Sequence, residues 1–239
     1  MTKPIAFLIH FLISLAIVSI VYFFIRFQIY PDFYFKIQGI SEIILILFAV
    51  DVILGPLLTF VVYKKGKKSL KFDLSVIALF QIAALVYGFQ TIYKERPLSA
   101  LLVNNSFEIQ TASNYDMTAV DPNIIDTSLA SAPKFHVLTG TTEVRIAITV
   151  HAFTGEGDTD YLQNMDYYHE LGEQKERIKQ AALEEVYLKK IYKDQEFDTG
   201  KYFYIRIIGK SGFGLAKLDK NTYEVLEIFA LTDFDMNTL

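Results

Sequence analysis

The chain has 239 residues, with 23 Lys/Arg, 27 Asp/Glu and a net charge of −4, and it contains neither cysteine nor tryptophan. The missing cysteines exclude disulfide scaffolds, thiol nucleophiles and thiolate zinc sites, and leave Tyr and Phe to serve as interfacial aromatics. Charge divides the chain: residues 1–97 carry a net +5 and residues 98–239 a net −9, so an apolar, basic part meets an acidic part of mixed composition near Pro97.

Ile5–Ile25 is an apolar run interrupted by His10, Ser14, Ser19 and Tyr22. A hydrocarbon core of about 30 Å takes roughly 20 residues of helix, and this run fits. It is too long for a signal-peptide core, and Arg26-Phe27-Gln28-Ile29-Tyr30-Pro31 after it is no small-residue cleavage site, so it is expected to be retained. A second span is expected over Glu42–Tyr63 and a third over Leu74–Ile92. Between them lies a loop, residues 64–73, with Lys64, Lys65, Lys67, Lys68 and Lys71. Short loops rich in lysine stay in the cytoplasm. The lysines therefore set the expected topology: N-terminus inside, residues 26–41 outside, and residues 98–239 exported. Lys3 agrees; Arg26, Lys36, Lys94 and Arg96 oppose and are outweighed. Position between two spans accounts for the basic loop without a nucleic-acid or lipid ligand.

Asp51 falls near the middle of the second span, where an aspartate costs about 2.5–3.5 kcal/mol on insertion scales and must face protein or water. At helical spacing Asp51, Gly55 and Thr59 form one ridge, and Ala78, Gln81, Ala84 (or Leu85) and Gly88 form another. Small residues of this kind let helices approach closely in lipid. With the third span begun at Leu74, Gln81 lies roughly 10 Å from the cytoplasmic end and Asp51 roughly 18 Å. The two are therefore not expected to pair, and Ser14 and Ser19 bracket Asp51 better. Two readings of Asp51 stand: it ties the three helices together, or it engages a partner's transmembrane helix. A proton relay would need more acids or histidines at depth than His10 alone. Pro56 leaves the Val52 carbonyl without its usual donor, and a kink beside Asp51 is expected, for packing or for function.

Beyond Pro97 the pattern changes. Leu98–Val103, Asn104-Asn105 and Ser106–Thr111 read as a β-hairpin, since Asn tolerates the positive φ of tight turns. Residues 112–133 read as a loop with one helical turn. Glu143–His151 alternates Val144, Ile146, Ile148 and Val150 with Arg145, Ala147 and Thr149, which predicts a half-buried strand. A helical region is predicted from Thr159 to Lys193, capped by Asp158 or Thr159 and broken near Gly172. Lys201–Ile208, Phe213–Leu218 and Thr222–Leu231 read as a meander, with Asp219-Lys220-Asn221-Thr222 as its last turn. The predicted architecture is a membrane domain of three helices followed by a small α+β exported domain with an antiparallel sheet.

Catalytic motifs are sparse. His169 and Glu173 are four apart on a predicted helix, without the further ligand that a metal site needs. Gly209, Gly212 and Gly214 mimic a phosphate loop but lie between strands, where tight turns explain them. The acidic balance argues against nucleic acid. The chain is read as a non-enzyme without metal or cofactor.

Three stretches carry a family resemblance: Val50-Asp51-Val52-Ile53-Leu54-Gly55-Pro56-Leu57-Leu58-Thr59, Gly66-Lys67-Lys68-Ser69-Leu70-Lys71-Phe72-Asp73, and Gln81-x-x-Ala84-Leu85-x-Tyr87-Gly88. With Arg96-Pro97 and Phe107-Glu108-Ile109 beyond them, they resemble the type IV pilin accessory protein family, densest over residues 48–97. The resemblance implies a bacterial inner-membrane protein that acts as a pilin-specific chaperone or accessory factor. Its partners would be the lipid bilayer and a type IV major pilin, both membrane helix and exported head. On this reading Asp51, Gly55, Thr59, Gln81 and Gly88 would receive the pilin's membrane helix. The competing class is a membrane-anchored sensor with an exported ligand-binding domain. It would lack any cytoplasmic output domain.

Overall fold

The structure, a computed structural model, describes residues 2–129, 131–154, 160–191 and 196–230. The chain divides into two compact units, Met1–Ile29 with Ile40–Lys94, and Tyr30–Gly39 with Glu95–Leu239.

The first unit contains three helices long and apolar enough to cross a membrane. Helix α1, Lys3–Phe24, starts with Pro4 in its first turn, where a missing N–H is harmless, and continues as a π-helical turn over Ile25–Ile29. The second span runs Ile40–Val62 in three pieces: α3 (Ile40–Phe48), a π-helical turn (Ala49–Leu54) and α4 (Gly55–Val62). The third is α5, Leu70–Lys94. Of their apolar windows, 17%, 33% and 11% are buried within the protein, so the second span is the central one and the others pack along it. Leu70–Asp73, read above as part of the lysine loop, is already helical, and the loop turns at Gly66 with φ +81°.

The second unit joins the segment between the first and second spans to the residues after the third. Helix α2 (Asp32–Ile37) ends at Gly39, φ +70°, where the left-handed conformation suits glycine. Among the described residues seven strands follow: β1 (Pro97–Leu102), β2 (Ser106–Thr111), β3 (Lys134–Leu138), β4 (Tyr168–His169), β5 (Tyr202–Ile208), β6 (Phe213–Asp219) and β7 (Val225–Ala230). They form one sheet in the order β4-β3-β1-β2-β5-β6-β7. It is mostly antiparallel, as expected, but β1–β3 and β2–β5 are parallel. The β1–β2 hairpin and the β5–β6–β7 meander fall where the sequence places them, although neither Asn104 nor Asn105 takes the positive φ expected of that turn and Leu231 lies outside the described residues. Asp219 closes the last turn by accepting hydrogen bonds at Oδ1 from the Asn221 and Thr222 amides, 2.7 and 3.0 Å.

Three expectations change. Residues 142–154 form helix α6 rather than a strand. Val144 and Ile148, four apart, are buried at 5% and 1% exposure, while Ile146 and Val150 stand exposed at 55% and 49%. A two-residue alternation of apolar residues contains this helical pair, and the helix wins by burying it. Strand β3 is not expected from the sequence, because Lys134-Phe135-His136-Val137-Leu138 is short and carries a histidine on its buried side. The long helical region is only partly helical: α7 (Lys175–Ala181) and α8 (Glu185–Ile191) follow several 3₁₀ turns and β4, while Asp158 and Thr159 lie outside the described residues. Helix α7 is fastened by Arg177, which donates to the Leu138 carbonyl at 2.6 Å and to that of Val103. The core under α6 holds Leu101, Leu138, Val144, Ile148 and Leu162, and a buried chain runs from Ser99 through Tyr115 and Tyr168 to the Leu162 carbonyl. Burial pushes the Tyr115 phenol up to about 12.

Candidate functional site

The polar residues of the spans meet at one point. Pro56 has no N–H, and the helix before it widens to a π turn in which the Gly55 amide bonds the Val50 carbonyl. That shift frees the Asp51 carbonyl from its usual donor four residues on. Gln81 takes the vacancy, donating Nε2–H to the Asp51 carbonyl at 3.0 Å. Its amide passes where Gly55 has no side chain, since a Cβ there would lie 2.1 Å from Gln81 Nε2.

The remaining atoms follow from donor arithmetic. With its nitrogen committed, Gln81 accepts at Oε1 from His10 Nε2, 2.9 Å away, which places the imidazole proton on Nε2. His10 Nδ1 then accepts from the Thr59 hydroxyl at 2.6 Å. The network joins all three spans, and within it every hydrogen-bonding group of Gln81 facing the interior and both ring nitrogens of His10 have partners.

Asp51 is the exception. It is 4% exposed, and neither carboxyl oxygen has a hydrogen-bond partner among the described residues. Its side chain borders a pocket of about 190 Å³ between the first and third spans, walled by Ile13, Ile17, Ala78, Ile82 and Leu85, with His10, Ser14 and Gln81 also lining it.

Four of the five ridge residues, Asp51, Gly55, Thr59 and Gln81, therefore come together, while Gly88 packs elsewhere, and most are used inside the protein. Thr59 is buried against His10, Gly55 makes room for Gln81, and Gly88 receives Leu47, whose Cδ2 would lie 2.6 Å from an added Cβ. Asp51 and Gln81 line the pocket. The expected depth mismatch between these two does not hold: α5 begins at Leu70, so Gln81 is three turns in, as Asp51 is from Val62, each roughly 16 Å. Ser14 lies in the pocket, whereas Ser19 does not line it. His10, too little by itself for a proton relay, links the three spans instead. Its four-residue spacing to Ser14 was the available sign that both face Asp51.

In the second unit the glycines of 209–214 serve packing. A Cβ at Gly209 would lie 2.5 Å from the Ile37 carbonyl and one at Gly214 2.4 Å from the Phe229 carbonyl and the Phe33 ring. The Ser211 amide bonds the Ile37 carbonyl at 2.9 Å, and Gln38 Oε1 accepts from the Lys210 amide at 2.9 Å, so the β5–β6 turn clasps α2. His169 lies on β4, not a helix; its Nε2 is 2.8 Å from Thr139 Oγ1 and its Nδ1 3.5 Å from Glu173.

No family model and no solved structure matches the chain. It is similar to fimbrial assembly proteins of Dichelobacter nodosus. To that of serogroups C1 and C2 it is 36% identical over 103 residues, 42% of this chain and 79% of that protein. To that of serogroup I it is 38% identical over 95 residues, 39% of this chain, and to that of serogroup E1 34% over 105 residues, 43% of this chain. The match spans less than two-fifths of the serogroup I protein, at 37%, and 39% of the serogroup E1 protein.

Proposed function

The chain belongs to the fimbrial assembly protein family, and from that premise we propose that it is a non-enzymatic accessory factor of pilus assembly that binds a type IV pilin in the bacterial inner membrane. It holds the subunit before polymerisation and supports its stability and incorporation. The observation that carries this reading is the buried Asp51 carboxyl, without a hydrogen-bond partner among the described residues, beside an apolar pocket between two spans. A buried polar group without a partner is expensive, and within lipid more so. A helix laid between the first and third spans would cover the pocket and bring Asp51 a donor.

The lysine loop supports the orientation, with the N-terminus in the cytoplasm and the C-terminal unit in the periplasm. That arrangement gives one chain a membrane groove for the pilin's helix and an exported surface for its head. The test is a deletion strain complemented with wild-type or Asp51→Ala protein at matched levels. Loss of pilin and of surface pili in the deletion, restored by wild type and not by the variant, is expected. Pilin level and piliation unchanged by the deletion would refute the role. A photo-crosslinker at Ile82 should capture pilin, and a variant that assembles pili normally removes Asp51 from the mechanism.

A further inference from the structure

Among the described residues the sheet of the second unit has no further strand at either end, and both edges border the same cavity. Strand β7 ends the sheet on one side. On the other, β4 pairs with Val137 and Leu138 of β3, so among the described residues Lys134, Phe135 and His136 have β1 along one edge and no strand along the other. The two ends approach where the turn after β4 reaches the β6–β7 turn. A Cβ on Gly172 would lie 4.0 Å from the Thr222 carbonyl, and the Lys175 ammonium stands 5.4 Å from the centre of the Tyr223 ring. Next to this junction is a pocket of about 660 Å³, bordered by Lys134, Phe135 and His136 on one side and Val225 and Leu226 on the other.

Several features suit this pocket to an occupant. His136 is 8% exposed, and its Nδ1 has no hydrogen-bond partner among the described residues. Leu226 holds an apolar side chain 53% exposed at the rim. The polar lining does not fit a small anion, because Glu170 and Glu224 share it and the Lys134 ammonium already donates to the Asn123 carbonyl at 3.1 Å. What two unpaired strand edges complement is an extended backbone, with alternate side chains entering the pocket.

We propose that this slot between β3 and β7 binds an extended segment of the pilin's exported head by strand addition, an inference that rests on the pilin-binding reading above. The test uses the full chain in detergent micelles, the intact cognate pilin, and synthetic peptides that tile the pilin's exported part. One peptide region is expected to bind, and N-methylation at alternate residues should weaken it by roughly tenfold or more through lost backbone hydrogen bonds, with the intervening set affected less. Leu226→Trp, at an exposed position, should block the peptide without unfolding the protein, and a photo-crosslinker in place of Leu226 should capture pilin. Intact pilin that binds while no peptide does, or peptide binding indifferent to N-methylation and to Leu226→Trp, overturns the slot and leaves the pilin reading standing. Crosslinks between two copies of this chain would assign the slot to self-association and overturn the proposal. Failure of intact pilin to bind at all overturns both.

Discussion

At the scale of single residues, stability and function should separate at Asp51. If its role were to tie the helices together, removing the carboxyl would loosen the bundle. The structure has the helices tied by His10, Gln81 and Thr59 instead, with Asp51 contributing its backbone carbonyl. Asp51→Leu removes a buried group without a partner, so the detergent-solubilised protein should gain about 1–3 kcal/mol, read from its thermal unfolding. Pilin accumulation in cells should nonetheless fall. Gly55→Leu has the opposite logic: it displaces the Gln81 amide and should destabilise the protein by about 2 kcal/mol or more through lost hydrogen bonds and overpacking. The sequence pointed to Asp51, Gly55 and Gln81 because polar and small residues are conspicuous in a span. Their mutual geometry was not legible, since one turn's error in where α5 begins moved Gln81 out of reach.

A second residue carries a pH signature. Burial, with a smaller contribution from Lys134, lowers the His136 pKa from the usual 6.5 to about 4. The unfolded chain therefore takes up a proton below about pH 6.5 that the folded chain refuses until about pH 4. Stability from this group is complete above the first value, falls with pH through that window, and changes no further below the second. His136→Gln should flatten the fall in melting temperature between pH 6.5 and 4, measured beside wild type in the same micelles.

At the scale of elements, the hairpin and the meander were readable because turn residues and strand periodicity agree there. Helix α6 was not, because Val144, Ile146, Ile148 and Val150 satisfy a period of two as well as the four-residue pair that the core takes. Strand β3 was not either, because its place is decided by β1 alongside it rather than by its own composition. The clasp on α2 was hidden for a related reason: Gly209, Gly212 and Gly214 read as turn glycines, and their partner lies about 170 residues earlier, as the Lys210–Gln38 contact shows. Gly209→Ala places a methyl against the Ile37 carbonyl, where backbone must yield. The expected cost is about 1–3 kcal/mol. Limited proteolysis should then cut within residues 30–39, which wild type protects; an unchanged cleavage pattern would show that the clasp does not hold α2.

At the scale of the whole molecule, parity and packing bear on orientation independently. Three spans put the N-terminus and the C-terminal unit on opposite sides of a bilayer, and the first inter-span segment on the side of the C-terminal unit. The structure places Tyr30–Gly39 in one compact unit with the sheet, as that parity requires. Parity alone does not say which side this is; the five lysines are the ground on which the periplasmic side is proposed. Because the chain has no cysteine, single introduced cysteines report accessibility without background. In intact spheroplasts, a membrane-impermeant maleimide should label Ile146→Cys, at an exposed position of α6, and should reach Lys67→Cys only after permeabilisation. Replacing Lys64, Lys65, Lys67, Lys68 and Lys71 with Gln leaves Lys3 against Arg26, Lys36, Lys94 and Arg96, so a substantial fraction should insert inverted and the labelling pattern should become mixed. Labelling of Lys67→Cys in intact spheroplasts by the wild-type background would put the sheet in the cytoplasm, where no exported pilin head could meet it.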